Sequence, residues 1–112
     1  RGAEVNAQGG HFGNALQAAA YGGNESVMRL LLGCGADVNA QGGEFGNALQ
    51  AAARQGNESV VQLLLERGAD VNAQGGEFGN ALQAAEAFRY RSIVQLLITH
   101  GADPNARISA DT

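Results

Sequence analysis

The chain has 112 residues, 45% of them hydrophobic, with 17 Gly, one Pro, four Phe, two Tyr and no Trp, which is room for one domain whose core is built from Ala, Leu and Val. Seven basic against eleven acidic residues leave a net charge of -4, which excludes a general polyanion binder because phosphate neutralisation needs a basic face. This composition also excludes collagen-like, Pro-rich and disordered chains.

Self-comparison organises the rest. The segment Gly2-Ala-Glu-Val-Asn-Ala-Gln-Gly-Gly10 returns at Gly35 and Gly68 and begins again at Gly101, a period of 33 residues. One domain over 1–112 therefore divides into units 2–34, 35–67 and 68–100 and a partial fourth, 101–112. Gly35 to Ala52 and Gly68 to Ala85 are identical over 18 positions, and the first unit differs from the second over Gly2 to Ala20 only at Glu4 and His11.

Each unit opens on a Gly-Ala-Asp-Val-Asn-Ala-Gln-Gly-Gly stretch of turn formers, which predicts a hairpin or extended loop. A first helix starts at Asn47-Ala48-Leu49-Gln50, with Asn47 capping free amides and Gln50 reaching back as the other half of a capping box. Its apolar face, Leu49, Ala52 and Ala53, is small enough to admit a close neighbour. After Gly56 a second helix runs from Asn57 or Glu58 to Arg67 and stops at Gly68. Val60, Val61, Leu63, Leu64 and Leu65 make it apolar on more than one side, as a helix held between neighbours must be. The sequons Asn24-Glu25-Ser26 and Asn57-Glu58-Ser59 fall at these second starts and read as caps. A single unit cannot bury both sides of such a helix, so the units stack into an all-α solenoid with a continuous core.

Sites for chemistry are absent from the pattern. Gly42-Gly43-Glu44-Phe45-Gly46 lacks the Lys and Ser/Thr of a phosphate loop. Phe12, Phe45 and Phe78 recur as rings packing along the hairpin row. Repeated Asn, Gln, Ser and Asp at equal spacing do not make a catalytic group, and the unique Cys34, His11 and His100 fall on separate elements. No zinc spacing is present. The expectation is no enzyme, no metal and no cofactor. No apolar run approaches the roughly 18 residues of a membrane span, and no basic-then-apolar leader is visible. With one Cys only, which fits a reducing compartment, the expected location is cytoplasmic, with no membrane and no nucleic-acid partner.

The 33-residue period, the hairpin-helix-helix order and Leu64-Leu-Glu-Arg-Gly-Ala-Asp-Val-Asn-Ala73 resemble ankyrin repeats over essentially the whole chain. Two departures stand out. Asn47-Ala48-Leu49-Gln50 replaces the family's Thr-Pro-Leu-His start, and the hairpin tip is Gly-Gly-x-Phe-Gly. This variant resembles the near-identical ankyrin arrays at the C-terminal end of fungal NOD-like (NACHT or NB-ARC) receptor proteins, where the array is thought to be the recognition module.

The resemblance implies a non-enzymatic protein-interaction module that holds its partner with hairpin tips and the exposed side of the first helix. Identical positions serve the shared stack, so specificity belongs where copies differ. The tips give His11, Glu44 and Glu77. The first-helix ends give Tyr21 and Gly22, then Arg54 and Gln55, then Ala87 and Phe88, while Cys34, Arg67 and His100 vary before the next turn. The third unit departs furthest, with Phe88-Arg89-Tyr90-Arg91 where the second has Gln55-Gly56-Asn57-Glu58. Aromatic and Arg side chains are the usual interface anchors, which makes Phe88, Arg89, Tyr90 and Arg91 the leading contact group. If Gly56 has positive φ, Arg89 inherits a strained backbone. Both ends of the array look uncapped, which implies a piece of a longer array and end-to-end self-association. Rival readings are a structural spacer or self-stacking scaffold, and an engineered ankyrin binder.

Overall fold

The computed structural model describes residues 6–9 and 13–103. Six α-helices follow in order among them: α1 (Ala15–Gly22), α2 (Glu25–Gly33), α3 (Ala48–Gln55), α4 (Glu58–Glu66), α5 (Ala81–Ala87) and α6 (Arg91–Thr99). They form three pairs joined by hairpins. No helix among these residues is long and apolar enough to cross a membrane.

Asn starts every first helix. Asn14, Asn47 and Asn80 sit in extended backbone, and each Oδ1 accepts from the N–H three residues on, of Gln17, Gln50 and Gln83, at 2.8 Å. In the first two units the other half of the expected capping box does not form. Gln17 Nε2 instead donates to the carbonyls of Ala40 at 3.1 Å and Gly46 at 3.2 Å, and Gln50 Nε2 donates to Ala73 at 3.4 Å. The following hairpin packs over the helix start and presents its carbonyls to the buried amide, an arrangement that no single unit contains. Each of these two glutamines is a staple between units.

The second helices also differ in their starts. Asn24 Oδ1 accepts from Val27 N–H at 3.2 Å, whereas Asn57 makes no side-chain cap bond. Its amide lies over Gly23 of the preceding unit, where any Cβ would overlap it. The sequon Asn57 is thus a packing residue and not a cap. At the other end Arg67 caps α4, and Gly68 follows with φ 94°.

Packing follows side-chain size. The first helices stand in a row, α1 on α3 and α3 on α5, and in the middle one Ala48, Ala51, Ala52 and Ala53 are fully enclosed. Alanine against alanine brings helices close. The second helices line the other side, where Val60, Val61, Leu63 and Leu64 of α4 are all buried and α4 packs on α6. Three pairs in a line give an elongated body of 44 × 25 × 20 Å.

Close helices force close hairpins. Each tip is a single antiparallel bridge, Gly9 with Gly13, Gly42 with Gly46 and Gly75 with Gly79, and Glu77 N–H donates to the Glu44 carbonyl in the tip before it at 3.2 Å. A Cβ at Gly76 would collide with the Phe45 backbone carbonyl, and Gly76 has φ 69°. Backbone-on-backbone stacking is the physical reason for the Gly-Gly-x-Phe-Gly tip.

A second ladder joins the hairpin bases. Asn39 Nδ2 donates to Gly68 C=O at 3.1 Å while its Oδ1 accepts from Asp70 N–H at 2.7 Å. Asn6 does the same for Gly35 and Asp37, and Asn72 for Gly101 and Asp103. Every such Asn grips the turn of the next unit. In the sequence alone these residues read only as turn formers.

The strain expected at Arg89 is present. Gly23 and Gly56 follow α1 and α3 with φ 72° and 73°, and Arg89, their counterpart after α5, has φ 62°. Gly56 is doubly required, because a Cβ there would lie 2.7 Å from the Tyr90 ring. Arg89→Gly is expected to raise stability by up to about 1 kcal/mol, read as a shifted urea midpoint at unchanged slope. Asn39→Ala removes both rungs between the turns of the second and third units and is expected to cost about 1–3 kcal/mol in the same measurement.

Candidate binding surface

The last turn of each first helix ends beside a hairpin tip, and there the differing positions meet. Tyr21 closes α1 and stacks on Phe45 of the second tip, with ring centroids 4.9 Å apart and planes at 24°. Phe45 is buried and Phe78 half-buried. Phe78 meets Phe88 edge to face at 5.5 Å, and Phe88 stacks on Tyr90 at 5.8 Å. The hairpin rings engage helix ends, a use that a ladder along the hairpin row does not describe.

Arg54 stands in the middle. Its guanidinium carbon lies 5.9 Å from the Tyr21 ring centroid, 6.0 Å from Phe45 and 5.1 Å from Phe88, so one cation meets rings from all three repeat units. Cation–π attraction of this kind is worth about 0.5–2 kcal/mol, more as water is removed. Nε is sealed from solvent without a hydrogen-bond partner, and Nη1 donates to Gln55 Oε1 at 2.9 Å. Tyr90 OH donates to the Arg54 backbone carbonyl at 3.2 Å, which ties the third pair to the end of α3.

The sequence-derived residues divide accordingly. Tyr21, Arg54 and Phe88 are brought together, and Phe88 remains 39% exposed. Tyr90 is half-buried between units, so it supports the group from beneath. Gln55, Arg89 and Arg91 are exposed at the same helix ends, and Glu44 and Glu77 are exposed at successive tips. His11 lies outside the described residues. Phe45 and Phe78 belong to the group but read in sequence as hairpin packing; only their contact with variable neighbours distinguishes them. Cys34 is a free, exposed cap residue. Among the described residues, no three His, Cys, Asp or Glu side chains gather as a metal site.

Residues 16–108 match the family model described as Ankyrin repeats (3 copies). No curated protein matches the chain.

Burial separates scaffold from contact within the group. Phe45→Ala is expected to cost about 3–5 kcal/mol, as for a buried ring, and Phe88→Ala less than about 1.5 kcal/mol because much of that ring already faces water. Urea unfolding of the two variants, followed by far-ultraviolet circular dichroism, measures the difference.

Proposed function

The chain belongs to the ankyrin-repeat family, and from that membership we propose that it holds a protein partner on the face formed by its hairpin tips and first-helix ends. Ankyrin-repeat domains are non-catalytic scaffolds, so its work is recognition by surface. The observation that carries the reading is the contiguous Tyr21, Arg54 and Phe88 group. These positions differ between otherwise near-identical units, yet they meet across all three. A large aromatic area at low entropic cost, with an Arg at its centre, is the composition of an interface anchor.

The finer reading is a recognition array of a larger receptor-like protein. Its support is the near-identity of the units and the Gly-Gly-x-Phe-Gly tip, which resembles the arrays of fungal NOD-like receptors. Near-identical units at 2–34, 35–67 and 68–100 fit that reading. A cytoplasmic location goes with it, supported by the free thiol of Cys34. Gln55, Glu44, Glu77, Arg89 and Arg91 are the surrounding contacts in this proposal, and Tyr90 is the residue that holds Phe88 and Arg54 in place.

The test is capture from a lysate of the source organism, comparing the chain with a variant carrying Tyr21→Ser, Phe88→Gln and Arg91→Glu but retaining Tyr90. The expected outcome is a partner retained by the chain and lost by the variant, with both proteins equally folded by circular dichroism. Equal capture by both, or none by either, favours the spacer reading.

A further inference from the structure

Among the described residues, no carboxylate pairs with the cation at the centre of the surface. Among the described residues the ion pair is Arg29 with Glu25, at 2.9 Å on α2, and none joins a carboxylate to Arg54. Most arginines without a carboxylate are fully hydrated, but Arg54 is half-buried, with Nε shut away and unpartnered and its face set over three rings. With Nε enclosed, Nη1 and Nη2 are left as the route of approach. Nη1 is engaged only by Gln55, an exposed side chain that can swing aside. A planar, pre-oriented fork of two nitrogens is the geometry that receives a carboxylate in two parallel hydrogen bonds.

The neighbouring charges agree. At the start of the second helix, where the first two units carry Glu25 and Glu58, the third carries Arg91, and Arg89 stands where they have Gly23 and Gly56. In a chain of net charge -4, the third unit thus adds two cations at a corner that also carries the exposed Glu58 and Glu86. Glu77, exposed at the third tip, disfavours a partner's acidic group there. Around Arg54 the Phe88 ring, 39% exposed, offers apolar surface.

We infer that the surface takes an extended peptide through one acidic side chain, an Asp or Glu whose carboxylate pairs end-on with Arg54 while an adjacent apolar side chain lies on Phe88. This rests on the interaction reading above and names the chemistry of the partner. The acidic residue supplies specificity and the rings supply most of the buried area.

The experiment is selection of phage-displayed random twelve-residue peptides on the immobilised chain, followed by anisotropy titration of the strongest synthetic peptide. The expected result is enrichment of Asp or Glu at one fixed position beside an apolar residue. Arg54→Gln then weakens binding by about tenfold or more, Arg54→Lys falls between because it keeps the charge without the fork, and exchanging the peptide's acid for its amide weakens binding to the unaltered chain by a similar factor. That last arm needs no protein variant and so holds whatever Arg54→Gln does to folding. Enriched peptides with no acidic position, or an amide peptide that binds equally well, overturn the inference. If such peptides lose affinity for Phe88→Ala, the interaction surface stands and only its acidic specificity falls; absence of enrichment, or indifference to both Phe88→Ala and Arg54→Gln, removes both.

Discussion

Alanine meets alanine where the first helices pack, and the rest of the molecule is registered to that contact. Ala48, Ala51, Ala52 and Ala53 of α3 are wholly enclosed, with α1 on one side and α5 on the other. Side chains this small set a short spacing between units. The hairpins, carried at the same spacing, are then pressed backbone against backbone, which only glycine at positions such as Gly76 accommodates. Larger residues in the helix row would part the hairpins and break both the tip contact from Glu77 to Glu44 and the staple from Gln50 to Ala73.

Polar groups convert this spacing into a fixed register. Hydrophobic faces made of Ala and Leu do not by themselves resist sliding, because apolar burial is non-directional. The side chains of Asn6, Asn39 and Asn72 supply direction, each with a donor and an acceptor committed to the next turn. The buried glutamines add a second anchor, though at a cost: Gln17 Oε1 and Gln50 Oε1 are enclosed without a partner. Interfaces between units thus hold the fold as much as any unit's own core, as expected of a repeat stack.

The binding surface grows out of the same register. Because units superimpose, a substitution at one helix end lands beside substitutions at the next, and Tyr21, Arg54 and Phe88 become neighbours although they are 33 or 34 residues apart. The third unit departs from the pattern at some conformational cost. Arg89 occupies a left-handed backbone that its counterparts fill with glycine, and α5 ends one residue sooner than α1 and α3. Tyr90 recovers part of this by packing over Gly56 and bonding to the Arg54 carbonyl.

The period, the helix pairs, the Asn starts of the first helices, the turns at Gly56 and Gly68 and the strain at Arg89 were legible from residue order alone, because they depend on local backbone preference and on comparing copies within the chain. So were most of the variable surface positions, since repetition shows which residues the stack does not need. The partners of identical residues were not legible. Gln50 has the spacing of a capping box, and only the neighbouring hairpin's carbonyls decided that its amide would point outward to the next unit; Asn57 sits where a cap belongs, and only the preceding unit's Gly23 decided that it would not be one. Phe45 and Phe78 read as scaffold until Tyr21 and Phe88 were set against them. Sequence determines what recurs and where backbone turns, whereas the contacts of a side chain between units depend on the distance across the stack, which the packing of alanine helices sets in three dimensions.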